Sequence, residues 1–177
     1  MNIVVLTGSP HKNGTSALLA ERFIAGAEDA GHQIERFDAA FEKVNYCLGC
    51  GHCERTGTCV HKDAMKELQP KLTEADMIVF CTPLYYHDVP AQLKAVVDRF
   101  YCIDSALRAC AKRTALLVTA HESGEWVMRP ILAHYETTIG YFGWQDCGKL
   151  LALGCGTREA IEASSYPDAA YRLGLSL

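Results

Sequence analysis

The sequence contains no apolar run of the roughly 20 residues that a membrane-spanning helix needs. It has no cluster of lysine and arginine, and its formal net charge of −4 argues against nucleic acid as a partner. No basic segment precedes the short apolar run at the amino terminus, so this run is typical of a strand and not of a secretion signal. These absences predict a cytoplasmic protein that binds neither membranes nor nucleic acid.

Internal repeats, low-complexity segments and linkers are also absent. The chain has 177 residues, of which 49% are hydrophobic and 21% are charged. This length and composition suffice for one globular domain with a sizeable core. We therefore predict a single domain over residues 1–177.

Short apolar runs alternate with longer amphipathic segments along the chain. Apolar runs predict buried strands, whereas apolar positions that recur every three to four residues predict helices. The predicted strands are Ile3–Leu6, Gln33–Phe37, Met77–Cys81, Ala115–Thr119 and Lys149–Leu153. The predicted helices are Thr15–Ala30, Asp63–Thr73 with its end limited by Pro70, a helix from Pro90 to Phe100, and Glu125 to about Tyr141.

The order of these elements predicts the fold. Strands that alternate with helices through right-handed crossovers form a parallel sheet with helices on both faces. Gln33–Phe37 alternates polar and apolar residues, as an edge strand does. We predict a flavodoxin-like three-layer α/β/α sandwich with a five-stranded parallel sheet of order 2-1-3-4-5. Ligands bind such sheets at the carboxyl ends of the strands, here the loops after Leu6, Cys81 and Thr119.

The tail from Gly154 to Leu177 has no clear pattern. Thr157–Ser164 is compatible with one or two helical turns, and we expect the last residues to be loosely held.

The first of the three loops, Thr7–Ser16, reads TGSPHKNGTS and joins a buried strand to a helix. Unpaired amides at a helix start favour an anion, and a phosphate monoester suits this loop. The loop lacks both the Gly-Lys-Ser/Thr of a Walker A motif and the three glycines of a dinucleotide fingerprint. A ligand-free helix start capped by serine or threonine is the alternative. The candidate phosphate-site residues are Ser9, His11, Asn13, Gly14, Thr15 and Ser16.

The second loop, Thr82–Pro90, is aromatic and contains two prolines. Such a surface at the mouth of an α/β sheet suits a flat heteroaromatic ring, although tyrosines there can also simply cap the core.

Nine cysteines are present, and we expect no structural disulfide framework among them because a reducing compartment keeps thiols reduced. Five are scattered and are expected to be small buried hydrophobes: Cys81, Cys102, Cys110, Cys147 and Cys155. The other four, Cys47, Cys50, Cys53 and Cys59, lie in an irregular insertion loop at about residues 45–61. Three occupants are open: a [4Fe-4S] cluster, a zinc ion, and plain thiols or a redox disulfide.

Two segments resemble the NADPH-dependent FMN reductases. The first loop is similar to the GSPRKNGNT-type loop of that family, with His11 in place of its arginine, and PLYYHDVPAQLKAVVDR from Pro83 to Arg99 is similar to its Pro-x-Tyr loop and following helix. The resemblance implies that FMN binds here, and that Asp98 and Arg99 are structural or interfacial. It also implies that the loop after Thr119 covers the other side of the ring. The residues implied to contact the ring are Pro83, Leu84, Tyr85, Tyr86, His121 and Gly124, with a surface position equally open for His121.

The cysteine-rich loop, from Tyr46 to Val60, resembles the compact motif of the iron–sulfur flavoproteins, a branch of the same superfamily. The following Val60–Met65 is similar to the Val-x-Lys-Asp-Asp-Met that follows the motif there, with Ala64 in place of the second aspartate. This resemblance implies a [4Fe-4S] cluster on Cys47, Cys50, Cys53 and Cys59.

The function implied is an FMN-dependent oxidoreductase that takes electrons from NAD(P)H and passes them to a small-molecule or protein acceptor, directly or through the cluster. A non-enzymatic FMN/iron–sulfur electron carrier with ferredoxin-like partners is the alternative. The cofactor supplies the chemistry in either case, so no catalytic side chain is predicted. The resemblance further implies a homodimer or homotetramer, in which a neighbouring subunit would order the cysteine-rich loop.

Overall fold

A computed structural model describes all residues from Met1 to Leu177. Five parallel strands form one sheet, and the strand order along it is 2-1-3-4-5. The strands are β1 (Asn2–Thr7), β2 (Gln33–Asp38), β3 (Met77–Pro83), β4 (Arg113–Thr119) and β5 (Gln145–Ala152). The predicted fold class and strand order are confirmed.

Eight α-helices surround the sheet, and 3₁₀ turns at Arg99–Ile103 and Glu125–Met128 extend two of the connections. No helix combines the length and the hydrophobicity that crossing a membrane requires. The helices are α1 (Thr15–Asp29), α2 (His52–Thr56), α3 (Met65–Glu74), α4 (Ala91–Asp98), α5 (Asp104–Ala109), α6 (Arg129–Phe142), α7 (Arg158–Glu162) and α8 (Tyr166–Leu175).

Two cores lie on opposite faces of the sheet. Ile3 and Val5 of β1 point into the core beneath α1, α7 and α8, whereas Val4 and Leu6 point into the core beneath α3 to α6. A central strand covered on both faces needs apolar residues at every position, which is why β1 is a continuous apolar run.

Helix α3 continues through Pro70 to Glu74, so the prediction that this proline limits the helix was wrong. Pro70 has no N–H to donate to the carbonyl of Lys66. However, Leu68 and Leu72 on either side of it are fully buried against the sheet. Their burial holds the helix together across the missing hydrogen bond.

The carboxyl-terminal segment is a second correction. The expectation of loosely held last residues was wrong for helix α8, although Leu175 and Ser176 at its end are exposed. Helix α8 lies against α1, and the two backbones meet at Gly26 and Gly174. A Cβ atom on Gly26 would lie 2.1 Å from the carbonyl oxygen of Tyr171. The sequence pattern missed this helix because its contact with α1 depends on small residues and not on a broad apolar stripe.

Candidate functional site

The three predicted loops meet at the carboxyl edge of the sheet. β1, β3 and β4 are neighbours, so the segments that follow them lie side by side. They surround one cavity of about 640 Å³. Its lining comprises Ser9, Pro10, His11, Lys12, Asn13, Gly14, Thr15, Pro83, Leu84, Tyr85, Thr119, Ala120, His121, Cys155, Gly156 and Arg158.

The first loop leaves the start of α1 open towards a ligand. Gly14 is the residue before the helix, and no side chain caps the first turn. The Ser9 hydroxyl instead accepts a hydrogen bond from the His11 amide at 3.1 Å, within the loop itself. The capped-helix alternative is therefore not what the structure contains. The unpaired amides of the first turn, together with the helix dipole, are the kind of donors that an anion requires.

Gly8 allows this loop to lie close to the second loop. Its amide donates to the carbonyl of Cys81 at 3.1 Å, which extends the pairing of β1 with β3. A Cβ atom on Gly8 would lie only 2.6 Å from the Thr82 hydroxyl.

The second loop forms a tight turn beside the cavity. Tyr85 and Asp88 exchange two backbone hydrogen bonds, at 2.9 and 3.1 Å. Tyr86 and His87 between them adopt positive φ values of 46° and 70°. Left-handed backbone at two non-glycine residues stores strain of about 1–2 kcal/mol each. The turn leaves Leu84 and Tyr85 on the cavity, whereas the fully exposed Tyr86 stands at a neighbouring crevice.

The third loop connects to both of the others. The Thr15 hydroxyl donates to the Thr119 hydroxyl at 3.0 Å, and the Leu84 amide donates to the Thr119 carbonyl at 2.8 Å. His121 lies against the backbone of Gly156, where an added Cβ would be 2.0 Å from its Nδ1 atom. The two hydrogen bonds to Thr119 hold the first and second loops at fixed positions relative to each other.

Most of the predicted cofactor-binding residues are brought together here. Nine line the cavity: Ser9, His11, Asn13, Gly14, Thr15, Pro83, Leu84, Tyr85 and His121. Ser16 is buried behind it, and its carbonyl accepts a hydrogen bond from the Cys81 thiol. Tyr86 lines the neighbouring crevice with Leu84 and His121, and Gly124 lines neither space and packs against Trp126. Contact of each residue with a ligand stays a prediction.

The tail supplies three cavity residues that the sequence did not reveal, namely Cys155, Gly156 and Arg158. Burial raises the pKa of the Cys155 thiol, so this cysteine is a neutral wall of the cavity. Their position in the sequence could have indicated these cavity residues, because residues directly after the fifth strand also lie at the carboxyl edge of the sheet.

The cysteine-rich loop lies in a different part of the chain and contains the short helix α2. Glycines at 49, 51 and 57 have φ values of 60°, 64° and 73°, a conformation that other residues rarely adopt. Cys50 is exposed, and Cys47, Cys53 and Cys59 are partly exposed. The loop does not gather three or more of these thiols into a ligand set. The donor chemistry fits a cluster or zinc, but binding either would require the loop to close around it.

A buried ion pair holds the base of this loop. The side chains of Asp63 and Arg99 are 0% and 2% exposed, and their closest charged atoms are 2.9 Å apart. Asp63 also accepts hydrogen bonds from the amide and the side chain of Asn45, and Arg99 donates to the Asn45 carbonyl. Asn45 lies two residues before Cys47, so the pair anchors the start of the loop.

The surroundings of Arg99 favour its charged form. Burial by itself lowers the pKa of Arg99, but the Asp63 carboxylate raises it above its ordinary value, with smaller contributions from Cys59 and Cys102. Its Nε atom is buried without a hydrogen-bond partner. The buried cation is thus stabilised chiefly by the Asp63 carboxylate.

The scattered cysteines differ from the expectation that all five would be buried. Cys81 and Cys155 are buried, which confirms the prediction for these two, and burial raises the pKa of Cys81 to about 12. Cys110 is exposed, and Cys102 and Cys147 are partly exposed, so the prediction was wrong for them. Burial, and then the neighbouring Cys53, raise the pKa of Cys102, which places it beside the cysteine-rich loop.

Iron-sulfur flavoproteins are among the curated proteins to which this chain is similar. The chain is 36% identical over 99 residues to an iron-sulfur flavoprotein of Archaeoglobus fulgidus, a match that covers 56% of this chain and 45% of the relative. It is 30% identical over 131 residues to an iron-sulfur flavoprotein of Clostridioides difficile, covering 70% of this chain and 55% of the relative. The chain therefore spans about half the length of the curated relatives it matches.

Solved structures support the same fold. An NAD(P)H:quinone oxidoreductase from Methanothermobacter marburgensis superposes with a TM-score of 0.74 at 21% identity, covering 99% of this chain and 98% of that one. An azoreductase from Bacillus anthracis gives a TM-score of 0.73 at 17% identity, with both chains covered in full.

A sequence profile shows the family of the chain, whereas structures of such low identity show only its fold. The profile described as NADPH-dependent FMN reductase matches residues 1–141, which include the first two loops, the cysteine-rich segment and the loop after β4. The chain belongs to the NADPH-dependent FMN reductase family.

Proposed function

We propose that this chain is an FMN-dependent oxidoreductase that passes electrons from NAD(P)H to an acceptor, for which quinones and related small molecules are the leading class. One observation carries the proposal: the uncapped start of α1 and the Pro83–Tyr85 segment open into the same cavity. An anion site and an apolar shelf at adjacent strand ends match the two ends of FMN.

Each part of the site has a separate task. The first-turn amides of α1 and the hydroxyls of Ser9 and Thr15 would hold the phosphate. Pro83, Leu84 and Tyr85 would lie along the ring and orient its reactive edge. When bound here, FMN would supply the redox chemistry between a reduced nicotinamide and an acceptor. The protein contributes binding and orientation, so no side chain is assigned as an acid or base.

Anaerobic mixing of the FMN-loaded protein with NAD(P)H tests this function. We expect the absorbance of the bound flavin to be lost rapidly on mixing. Reduction by ferredoxin alone, with no response to NAD(P)H, would contradict the reductase and favour the electron carrier. The carrier is the less favoured function because the matching family is one of reductases.

A double variant links that activity to the proposed site. Ser9→Ala with Thr15→Ala removes two hydroxyl donors, and we expect FMN affinity to fall about 10- to 100-fold because hydrogen bonds to a charged group are strong. Flavin fluorescence titration measures the affinity. Ser105→Ala with Ser176→Ala removes two exposed hydroxyls outside the cavity and should leave it unchanged. Equal affinity for all three proteins would mean that the phosphate lies elsewhere.

We further propose that Cys47, Cys50, Cys53 and Cys59 hold a [4Fe-4S] cluster, in keeping with the names of the curated relatives. Four thiols within 13 positions, separated by glycines in left-handed conformation, give the loop the freedom to wrap a cluster. The buried cation of Arg99 would offset part of the negative charge that four thiolates bring.

Metal analysis after anaerobic purification tests the cluster. We expect about four iron and four sulfide ions per chain, and we expect Cys50→Ser to lose most of the iron. Cys110→Ser removes an exposed cysteine outside the loop and should retain the iron. About one zinc ion per chain would instead support a zinc site, and a metal-free protein would support plain thiols or a disulfide.

A homo-oligomeric state and a cytoplasmic location stay predictions of the sequence.

A further inference from the structure

Arg158 lies at the proposed phosphate site although it comes from the tail. After β5, the Gly154 amide donates to the Glu122 carbonyl at 2.9 Å and the Cys155 amide donates to the Ala120 carbonyl at 2.8 Å. These bonds carry the chain along the third loop to the cavity. Thr157 then caps α7 by accepting from the Ala160 amide at 3.2 Å, which sets Arg158 as the first helical residue.

The guanidinium of Arg158 reaches the first loop. Its Nη1 atom is 3.5 Å from the carbonyl oxygen of Asn13, and its side chain lines the cavity while remaining 33% exposed. The Nε atom is held 2.6 Å from the Glu162 carboxylate. The group is therefore positioned by two partners and still open to the cavity.

The charges that line the cavity distinguish Arg158 from the other lining residues. A phosphate monoester carries between one and two negative charges at neutral pH, whereas loop amides and hydroxyls are neutral donors. Lys12 also lines the cavity, but its ammonium lies 5.1 Å from the centre of the Phe41 ring, in a cation–π contact. Arg158 is the only arginine in the lining, and a guanidinium stays charged at every physiological pH.

We propose that Arg158 is a phosphate-binding residue: its guanidinium turns away from Glu162 and donates hydrogen bonds to the phosphate of bound FMN. This inference rests on the proposed function. It assigns a cofactor contact to the segment beyond residue 141, where the family profile ends. It also gives Glu162 a role, since this carboxylate holds the guanidinium in place when no phosphate is present.

Comparison of FMN with riboflavin isolates the phosphate contact, because riboflavin has the same ring and ribityl chain without the phosphate. The 177-residue protein, freed of flavin, is titrated with each ligand. We expect Arg158→Gln to weaken FMN about 10- to 100-fold, as loss of a charge-assisted hydrogen bond does, and to change riboflavin less than about twofold. Arg158→Lys should retain part of the FMN affinity. Arg172→Gln removes an exposed arginine of the same tail and should change neither ligand.

Glu162→Gln supplies the opposite change. Without the competing carboxylate the guanidinium is free for the phosphate, so FMN binding should tighten about two- to fivefold. Circular dichroism of each variant establishes that it is folded.

Several results of these titrations would contradict the proposed role of Arg158. Equal losses for FMN and riboflavin in Arg158→Gln, or no loss for either, would overturn the phosphate role. A loss confined to NADPH relative to NADH would assign Arg158 to the nicotinamide phosphate and overturn it as well. Failure of the unaltered protein to bind FMN would instead refute the proposed function, and the inference with it.

Discussion

Replacement of Asp63 by asparagine is expected to lower the free energy of unfolding by about 3–5 kcal/mol, because it leaves a buried guanidinium without its counter-charge. Asp63 is an acceptor for every group that faces it: Arg99, the amide and side chain of Asn45, and the Met65 amide at the start of α3. Asparagine would turn an NH₂ group towards some of these donors. Urea denaturation followed by circular dichroism measures the loss.

Asp98→Asn is the matched control, since it makes the same substitution in an exposed pair. Asp98 and Lys94 are each 42% exposed, and their ion pair spans one turn of α4. Such pairs contribute about 0.3–0.5 kcal/mol, so the control should unfold nearly like the unaltered protein. Similar stabilities for the two variants would mean that the buried pair contributes little to the fold.

The stability of the fold at acid pH should depend on the same pair of Asp63 and Arg99. Burial by itself raises the pKa of Asp63, but hydrogen bonds from Arg99 and Asn45 and the charge of Arg99 outweigh it, so the pKa falls from 3.8 to about 2. A pKa that is lower in the folded state stabilises the fold above pH 3.8, and this contribution is lost as the pH falls through 2. The loss is about 2 kcal/mol. Because Asp63→Asn cannot titrate, the difference in stability between the two proteins should shrink over this range.

Substitution of Gly174 by alanine is the second change with a large expected effect. A Cβ atom at this position would lie 2.1 Å from the Phe23 carbonyl oxygen and 2.8 Å from the Ala27 amide nitrogen. Both obstacles are backbone atoms of α1, so no side-chain rotation can relieve the clash. The helices must separate, and we expect a loss of about 3 kcal/mol, at the upper end of the range for overpacking.

Gly140→Ala controls for the ordinary effect of alanine in a helix. Gly140 lies in α6, and no atom is within 4 Å of the position that its Cβ would occupy. Alanine there should raise stability by up to about 1 kcal/mol. Guanidinium denaturation of both variants gives the comparison, and a Gly174→Ala protein as stable as Gly140→Ala would show that α8 is not closely packed in solution.

Gly26→Ala approaches the same contact from α1. Once one alanine has separated the helices, the second should add little, so the double variant should lose less than the sum of the two single losses. That result would identify the α1–α8 crossing as one packing unit.

The sheet and the positions of its loops were predictable because they follow from local patterns. A central parallel strand must be apolar on both faces, so Ile3–Leu6 and Met77–Cys81 are recognisable without any partner. Right-handed crossovers give a parallel sheet with helices on both faces. The strand order was predicted because the alternation in Gln33–Phe37 is typical of an edge strand, which matches the flavodoxin-like order. With the order known, the loops after β1, β3 and β4 had to lie together at one edge.

Contacts between distant parts of the chain were not predictable in the same way. The pair of Asp63 and Arg99 was not predictable because its partners lie 36 positions apart. The family resemblance implied a structural or interfacial Arg99 but did not identify Asp63 as its partner. Cys102 was read as a core thiol although it lies beside Cys53, since spacing alone cannot reveal a neighbour from another segment.

The amino-acid sequence alone therefore determined the strand–helix alternation, the sheet order and the edge where a cofactor is expected. Hydrophobic periodicity over a few residues identifies each element, and the rules of parallel sheets then limit how the elements assemble. The docking of the tail required the folded chain. Gly26 meets α8, and Asn13 meets Arg158 145 positions away, through backbone proximity that leaves no periodic trace in the sequence. For that reason a phosphate site was predictable at the first loop from its local sequence, whereas the proximity of Arg158 to this loop depends on how the tail folds against it.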